Sequence, residues 1–172
     1  MIDFLAVLSA NSKTVAHALP SWLPSYVDSN YFSPAILSGT LALCLGSAIR
    51  WLSYHYLGRY FTFQLAIKKD HRLITDGPYS IVRHPSYTGA WLVMIGMAIS
   101  QLGPGSVYME LGLWKNTLTL LAGIFQLALI VYVGLVIDLR VQKEDKALSE
   151  QFEVEWKAWA KRVPCRLIPF LY

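Results

Sequence analysis

Two arginines and one glutamate lie at the ends of apolar segments, and their types could bind an anion. Arg50 lies inside the apolar segment 34–56. Arg140 and Glu144 follow directly on the apolar segment 111–139, and their spacing of four residues places them on one face of a helix. Charges inside apolar segments commonly mark functional pockets, and guanidinium groups bind carboxylates through paired hydrogen bonds. We therefore expect Arg50 and Arg140 to hold an anion while Glu144 balances the charge, although a surface ion pair is the alternative.

A second group of polar residues lies in the run GPYSIVRHPSYTG, at positions 77–89. Pro85 favours an extended residue before it and a helix start at its own position. His84 and Tyr87 then lie near a helix N-terminus, where free backbone N–H groups suit a carboxylate or a hydroxyl-bearing ligand. The same two side chains could instead anchor the helix at a membrane surface. The run alone does not decide between these two interpretations.

The composition is that of a membrane protein. Hydrophobic residues make up 55% of the chain and charged residues 15%, whereas soluble domains carry roughly 25% charged residues. The net charge is +4, and the basic residues flank the apolar blocks, as expected next to anionic membrane lipids. No nucleic-acid-binding motif is present, so we exclude nucleic acid as a partner. Cys44 and Cys165 have no partner at metal-ligand spacing, so no metal site is expected.

Three segments predict membrane helices, at residues 34–56, 87–102 and 111–139. The second is short, because a full span needs about 20 residues, and it ends at Gly-Pro-Gly. A short helix, a break and a long return helix predict a helical hairpin. Residues 1–19 could span the membrane as a fourth helix, lie on its surface or pack against a neighbour, and we favour the span.

The basic residues also predict the orientation. The connector 58–85 and the tail after Leu139 are rich in Lys and Arg, whereas the loop 103–110 has neither. The positive-inside rule therefore places connector and tail on the cytosolic face. The tail 140–162 is predicted to continue the last span as a helix, with one apolar stripe that we interpret as packing or membrane contact: Phe152, Trp156, Trp159 and Val163.

These features predict an all-α, polytopic integral membrane protein with about four transmembrane helices, including the hairpin. The chain contains no internal repeat, low-complexity run or flexible linker. We therefore expect a single domain over residues 1–172, with a catalytic core at about 34–169.

Two motifs make the chain similar to a known family. The run at 77–89 resembles the RHPxYxG signature of the isoprenylcysteine carboxyl methyltransferase family and its phospholipid methyltransferase relatives. The tail is similar to the family's second signature, which has paired acids, then Leu, Phe, two aromatic residues and Arg-Val-Pro. Gly46 and Arg50 also resemble the family. The chain departs from it at Asp145, where glutamate is usual, and at Glu153, where glycine is common.

The resemblance implies S-adenosylmethionine as cofactor, in a cytosolic pocket closed by the C-terminal helix, and placement in the endoplasmic reticulum membrane. The residues that would bind the cofactor are Lys68, His71, Arg72, Leu73, Ile74, Tyr79, His84, Pro85, Ser86, Tyr87 and Glu144. Arg50 and Arg140 would face the methyl acceptor and would form the catalytic group together with Glu144. The implied acceptor is the carboxylate of a C-terminal S-isoprenylcysteine on a prenylated protein, or a similar lipophilic acid, which becomes a methyl ester.

Two other functions remain open at this point. A phospholipid N-methyltransferase would methylate a phosphatidylethanolamine-type amine, which needs a base such as Glu144 or His84. A carboxylate needs no base because it is already ionised at neutral pH. The arginine pair therefore favours an anionic acceptor, although a lipid phosphate could also occupy it. The third possibility is a membrane scaffold or a lipid-binding relative that has lost catalysis.

Overall fold

The computed structural model describes residues 33–60 and 72–169. Within these ranges every regular element is helical, which confirms the all-α prediction for the part described. The α-helices are α1 (Pro34–Leu57), α2 (Pro85–Leu102), α3 (Val107–Glu110) and α4 (Thr117–Arg162). Short 3-10 turns lie at Gly58–Tyr60, Gly77–Ser80 and Leu113–Lys115.

Three helical stretches are long and apolar enough to cross a membrane: Pro34–Tyr60, Pro85–Glu110 and Thr117–Arg162. Large apolar side chains point outward from them, as Leu118 and Phe125 show with exposed fractions of 78% and 69%. Lipid tails solvate such surfaces and water does not. The chain is therefore an integral membrane protein. The fourth predicted span, at 1–19, lies outside the described residues, as do Lys68 and His71.

The N-terminal end of α4 differs from the prediction. The apolar pattern suggested a start at residue 111, but the helix begins at Thr117. Asn116 explains the difference, because its side-chain oxygen accepts hydrogen bonds from the N–H groups of Leu118 and Thr119, at 3.0 and 3.4 Å. Asparagine in this position caps a helix N-terminus by accepting from the free N–H groups of the first turn.

The length of α4 carries it well beyond the bilayer. Its 46 residues would extend about 69 Å if straight, whereas the hydrocarbon core is about 30 Å thick. The prediction that the tail continues the last span as a helix is therefore confirmed. Glu153 interrupts it with φ 28° and ψ −89°, and it is the one non-glycine residue with positive φ in the part of the chain that the structure describes.

The described residues fall into two compact units, of which the first comprises 33–41 and 95–127. In this unit Gln126 of α4 donates to Gln101 of α2 over 2.6 Å, so the two helices pair as the predicted hairpin requires. The second unit comprises 42–60, 72–94 and 128–169 and contains all the described candidate site residues. The single domain over residues 1–172 stays a prediction.

In the second unit the backbones of α1 and α2 approach closely at two glycines. A Cβ on Gly89 would lie 2.6 Å from the carbonyl oxygen of Gly46, and a Cβ on Gly46 would lie equally close to the carbonyl oxygen of Gly89. Any larger residue would therefore force the helices apart. The contact lies one turn from Arg50, whose Cγ would also meet a Cβ on Gly89, at 2.7 Å. The two glycines of the motifs thus set the position of Arg50 against α2.

The end of α4 packs onto the connector in the same unit. Tyr79, Trp159 and Val163 form a buried apolar cluster, with Trp156 packed against it. The indole N–H of Trp159 donates to the backbone oxygen of Tyr79 over 3.1 Å. Three residues of the predicted stripe, Trp156, Trp159 and Val163, therefore pack against the connector.

Candidate functional site

The Arg-His-Pro segment before α2 is held by the segment that follows α4. The backbone N–H of Arg83 donates to the carbonyl of Cys165 over 3.0 Å, and that of His84 donates to the carbonyl of Arg166 over 2.9 Å. Pro85, which has no N–H to satisfy, is fully buried at the start of α2. These contacts give His84 a fixed place at the helix N-terminus.

Asp145 lies at the centre of a buried ionic cluster, with 6% of its surface exposed. Its Oδ2 lies 2.9 Å from Nη1 of Arg83 and 3.3 Å from Nε of Arg166. Its Oδ1 lies 3.0 Å from Nε2 of His84. A buried carboxylate is tolerated only when it is paired, so this cluster locks α4, the Arg-His-Pro segment and the C-terminal segment together.

The carboxylate of Glu144 contacts a second set of hydrogen-bond donors. Its Oε1 accepts a hydrogen bond from the hydroxyl of Tyr87 over 2.6 Å and another from Nε of Arg140 over 3.1 Å. Its Oε2 lies 3.5 Å from Nδ1 of His84. Glu144 therefore joins the two sequence motifs, although they are far apart in the chain.

The surroundings of His84 and Tyr79 shift their proton affinities. Burial lowers the pKa of His84, but the hydrogen bonds to Asp145 and Glu144 outweigh burial, so the pKa is raised above its usual value. Burial also raises the pKa of the Tyr79 hydroxyl, and the charge of Glu144 adds to this shift. The site thus favours a protonated His84 and a neutral Tyr79.

Arg50 reaches α2 from α1. Its Nη1 donates to the carbonyl oxygen of Ser86 over 3.1 Å, and its Nη2 donates to the Tyr54 hydroxyl. The guanidinium also lies over the Tyr54 ring, 5.3 Å from the ring centre. A guanidinium has five N–H donors, so these two bonds do not exhaust its capacity to bind an anion.

The comparisons with known proteins agree with the motifs. The isoprenylcysteine carboxyl methyltransferase (ICMT) family model matches residues 39–115. The chain is 29% identical over 171 residues to the protein-S-isoprenylcysteine O-methyltransferase of Schizosaccharomyces pombe, covering 95% of this chain and 63% of that protein. The chain is therefore similar to the isoprenylcysteine carboxyl methyltransferase family.

Other relatives of the family carry similar names. The chain is 27% identical over 135 residues to protein-S-isoprenylcysteine O-methyltransferase B of Arabidopsis thaliana, covering 77% of this chain and 58% of that protein. It is 30% identical over 136 residues to the Saccharomyces cerevisiae protein-S-isoprenylcysteine O-methyltransferase, with 77% and 48% covered. The chain thus spans less than two thirds of the length of these relatives. No solved structure matches it.

The structure brings most of the described candidate residues to one region of the second unit. His84, Tyr87 and Arg140 each contact Glu144. Leu73 and Ile74 pack against the cluster that contains Tyr79, while Arg72 is exposed. That Arg50 and Arg140 share one anion stays a prediction.

Sequence reasoning missed three residues of the ionic cluster: Arg83, Asp145 and Arg166. Neighbouring positions on a helix point about 100° apart, so the adjacent acids Glu144 and Asp145 face largely different partners, and His84 contacts both. That spacing was the available signal. It implied a second group of cations, which Arg83 and Arg166 supply.

Proposed function

We propose that this chain transfers a methyl group from S-adenosylmethionine to the carboxylate of a C-terminal S-isoprenylcysteine, or of a similar lipophilic acid. The observation that carries the proposal is the contact of Tyr87 and Arg140 with the same oxygen of Glu144. This contact unites both family motifs at a point where α4 changes from apolar to charged sequence. The names of the curated relatives support the same reaction.

The residues expected to bind the methyl donor fit a cationic ligand. S-adenosylmethionine supplies an activated methyl group on a sulfonium ion. The carboxylate of Glu144 favours positive charge nearby, and the faces of Tyr79 and Tyr87 can favour a cation further. The full proposed set is Lys68, His71, Arg72, Leu73, Ile74, Tyr79, His84, Pro85, Ser86, Tyr87 and Glu144.

Arg50 and Arg140 are proposed to bind the acceptor. The carboxylate of the acceptor is already ionised at neutral pH, so the enzyme has only to strip water from it and hold it. The new carbon–oxygen bond forms as the methyl–sulfur bond breaks, the sulfur leaves as a neutral thioether, and no proton is transferred. Correct orientation of the reactants can contribute about 7–11 kcal/mol to such a reaction.

The membrane location fits this acceptor. A prenyl chain dissolves in lipid and the methyl donor dissolves in water, so a site at the interface is open to both. We propose that the site faces the cytosol, because the connector and the tail carry most of the basic residues. By analogy with the family, the membrane is that of the endoplasmic reticulum, and prenylated protein C-termini are the partners.

The phospholipid alternative lacks support. An amine acceptor needs a base, yet Glu144 is engaged by Tyr87, Arg140 and His84. The relatives reported above are isoprenylcysteine methyltransferases by name, which does not favour an amine acceptor either.

The test uses purified protein in detergent with methyl-labelled S-adenosylmethionine. One reaction contains a short peptide ending in S-farnesylcysteine, the second the same peptide with its C-terminus amidated, and the third phosphatidylethanolamine. We expect label that is released by base in the first reaction alone. Base-stable label in the phospholipid, or equal label in the amidated peptide, would refute the proposal. Glu150→Gln, at an exposed position of α4, should retain activity, whereas Glu144→Gln should lose it.

A further inference from the structure

His84 lies between the carboxylates of two successive residues of α4. Its Nε2 lies 3.0 Å from Oδ1 of Asp145, and its Nδ1 lies 3.5 Å from Oε2 of Glu144. A neutral imidazole has one N–H and one lone pair. It would turn that lone pair towards one of the two anions, whereas the imidazolium cation presents an N–H to both. The geometry therefore fits the charged ring.

The two arginines beside Asp145 contact a different carboxylate oxygen from the one that His84 contacts. Arg83, from the same segment as His84, and Arg166, from the C-terminal segment, both contact Oδ2 of Asp145. His84 contacts the opposite oxygen, Oδ1. Two cations thus hold the carboxylate in one orientation, and its second oxygen faces the ring.

The two carboxylate oxygens of Glu144 likewise contact different groups. Tyr87 from α2 and Arg140 from α4 both donate to Oε1. His84 faces Oε2. The imidazole of His84 therefore contacts both acids, and 5% of its surface is exposed.

We propose that Asp145 is a positioning residue: it keeps His84 as an imidazolium cation, and this cation holds the Glu144 carboxylate in place beside Tyr87. Burial alone would favour the neutral ring, and of the two carboxylates that oppose this effect, that of Asp145 lies closer to the ring. The inference rests on the proposed function because it assigns Glu144 to the methyl donor. Without that charge the proton affinity of His84 falls, and its contact with Glu144 weakens.

The test reads the protonation of His84 directly, by NMR of protein labelled with ¹⁵N-histidine. The chain has 4 histidines, and the His84→Gln variant identifies the signals of His84. We expect both ring nitrogens of the wild type to be protonated at pH 7.5. In Asp145→Asn, which keeps the shape and removes the charge, we expect the titration midpoint to fall by about one pH unit or more, a ten-fold change in the protonation equilibrium.

The binding of S-adenosylmethionine is measured on the same samples. The affinity of Asp145→Asn should fall about ten-fold, as expected when a charged hydrogen bond is lost. Asp145→Glu keeps the charge and should stay within about three-fold of the wild type in affinity, with His84 still protonated. Glu150→Gln is the matched control, because Glu150 is an exposed acid of α4 that contacts only Lys146 among the described residues, at 3.9 Å.

The outcomes separate this inference from the proposed function. A neutral His84 in the wild type at pH 7.5 would overturn the inference, and this result does not depend on whether Asp145→Asn folds. Unchanged His84 protonation or unchanged donor affinity in a folded Asp145→Asn would also overturn it. A wild-type protein with a protonated His84 that binds no S-adenosylmethionine would contradict the proposed function and still support the ionic arrangement.

Discussion

The hydroxyl of Tyr87 donates to Oε1 of Glu144 over 2.6 Å, although the two residues are 57 positions apart in the chain. The bond joins the first turn of α2 to the part of α4 that continues from the apolar sequence. This length is typical of a strong, charge-assisted hydrogen bond from a hydroxyl to a carboxylate. The two sequence motifs meet in this one contact.

Tyr87→Phe should weaken binding of the methyl donor while leaving the fold intact. Hydrogen bonds to charged groups contribute about 1.5–3 kcal/mol, so we expect the dissociation constant for S-adenosylmethionine to rise about ten-fold or more. Isothermal titration calorimetry in detergent measures this constant. Tyr132→Phe is the control, because Tyr132 lies on α4 with 63% of its surface exposed. Equal affinity in Tyr87→Phe and the wild type would contradict the role given to the hydroxyl.

Donor and acceptor binding should respond to different substitutions. Glu144→Ala and His84→Ala should raise the dissociation constant for S-adenosylmethionine, because both side chains belong to the proposed donor site. Arg50→Ala should leave that constant within about three-fold and should lower the turnover of the prenylcysteine acceptor about ten-fold or more, since a charged hydrogen bond to the carboxylate is lost. Calorimetry and initial rates measure the two effects separately. An equal loss of donor affinity in all three variants would refute this division.

Gly89→Ala should destabilise the second unit. The added Cβ would lie 2.6 Å from the Gly46 carbonyl oxygen, and backbone atoms cannot move aside as a flexible side chain can. Overpacking of this kind costs about 1–3 kcal/mol. Thermal unfolding in detergent should therefore show a lower midpoint, whereas Ser47→Ala, at an exposed position of α1, should not. A midpoint like that of the wild type in Gly89→Ala would show that the helices are not so close.

Glu153→Gly should stabilise the protein, which is unusual for a glycine placed within a helix. Glu153 has φ 28°, and left-handed conformations cost a residue with a Cβ about 1–2 kcal/mol. Glycine removes that cost. Glu155→Gly is the matched control, because Glu155 is exposed and helical and should lose about 1 kcal/mol. Opposite shifts of the unfolding midpoint are expected; a decrease in both variants would contradict the kink at Glu153.

Apolar segments and prolines predicted most of the described fold. The helix that begins at Pro85 and the helical continuation of the last span after Arg140 both follow from local pattern. The start of α4 did not, because it depends on the side chain of Asn116 and not on hydropathy. Apolar periodicity does not predict the kink at Glu153 either, since the kink changes the backbone conformation without changing which residues are apolar.

The sequence predicted only part of the candidate site, because the rest depends on contacts between distant segments. Spacing and residue type indicated Glu144 and Arg140, which are neighbours on one helix face. The ionic cluster around Asp145 depends on the C-terminal segment returning to the Arg-His-Pro segment, where Arg166 and Arg83 reach the same carboxylate. Contacts between segments so far apart are set by tertiary packing, which a single sequence does not reveal.

The most direct measurement is an experimental structure of the protein with S-adenosylhomocysteine, the product form of the donor. The proposed function predicts that the product lies beside Tyr87 and Glu144, with its sulfur directed towards the acceptor site proposed for Arg50 and Arg140. A product bound away from Tyr87 and Glu144, or Tyr87 and Glu144 too far apart to contact one small molecule, would contradict it.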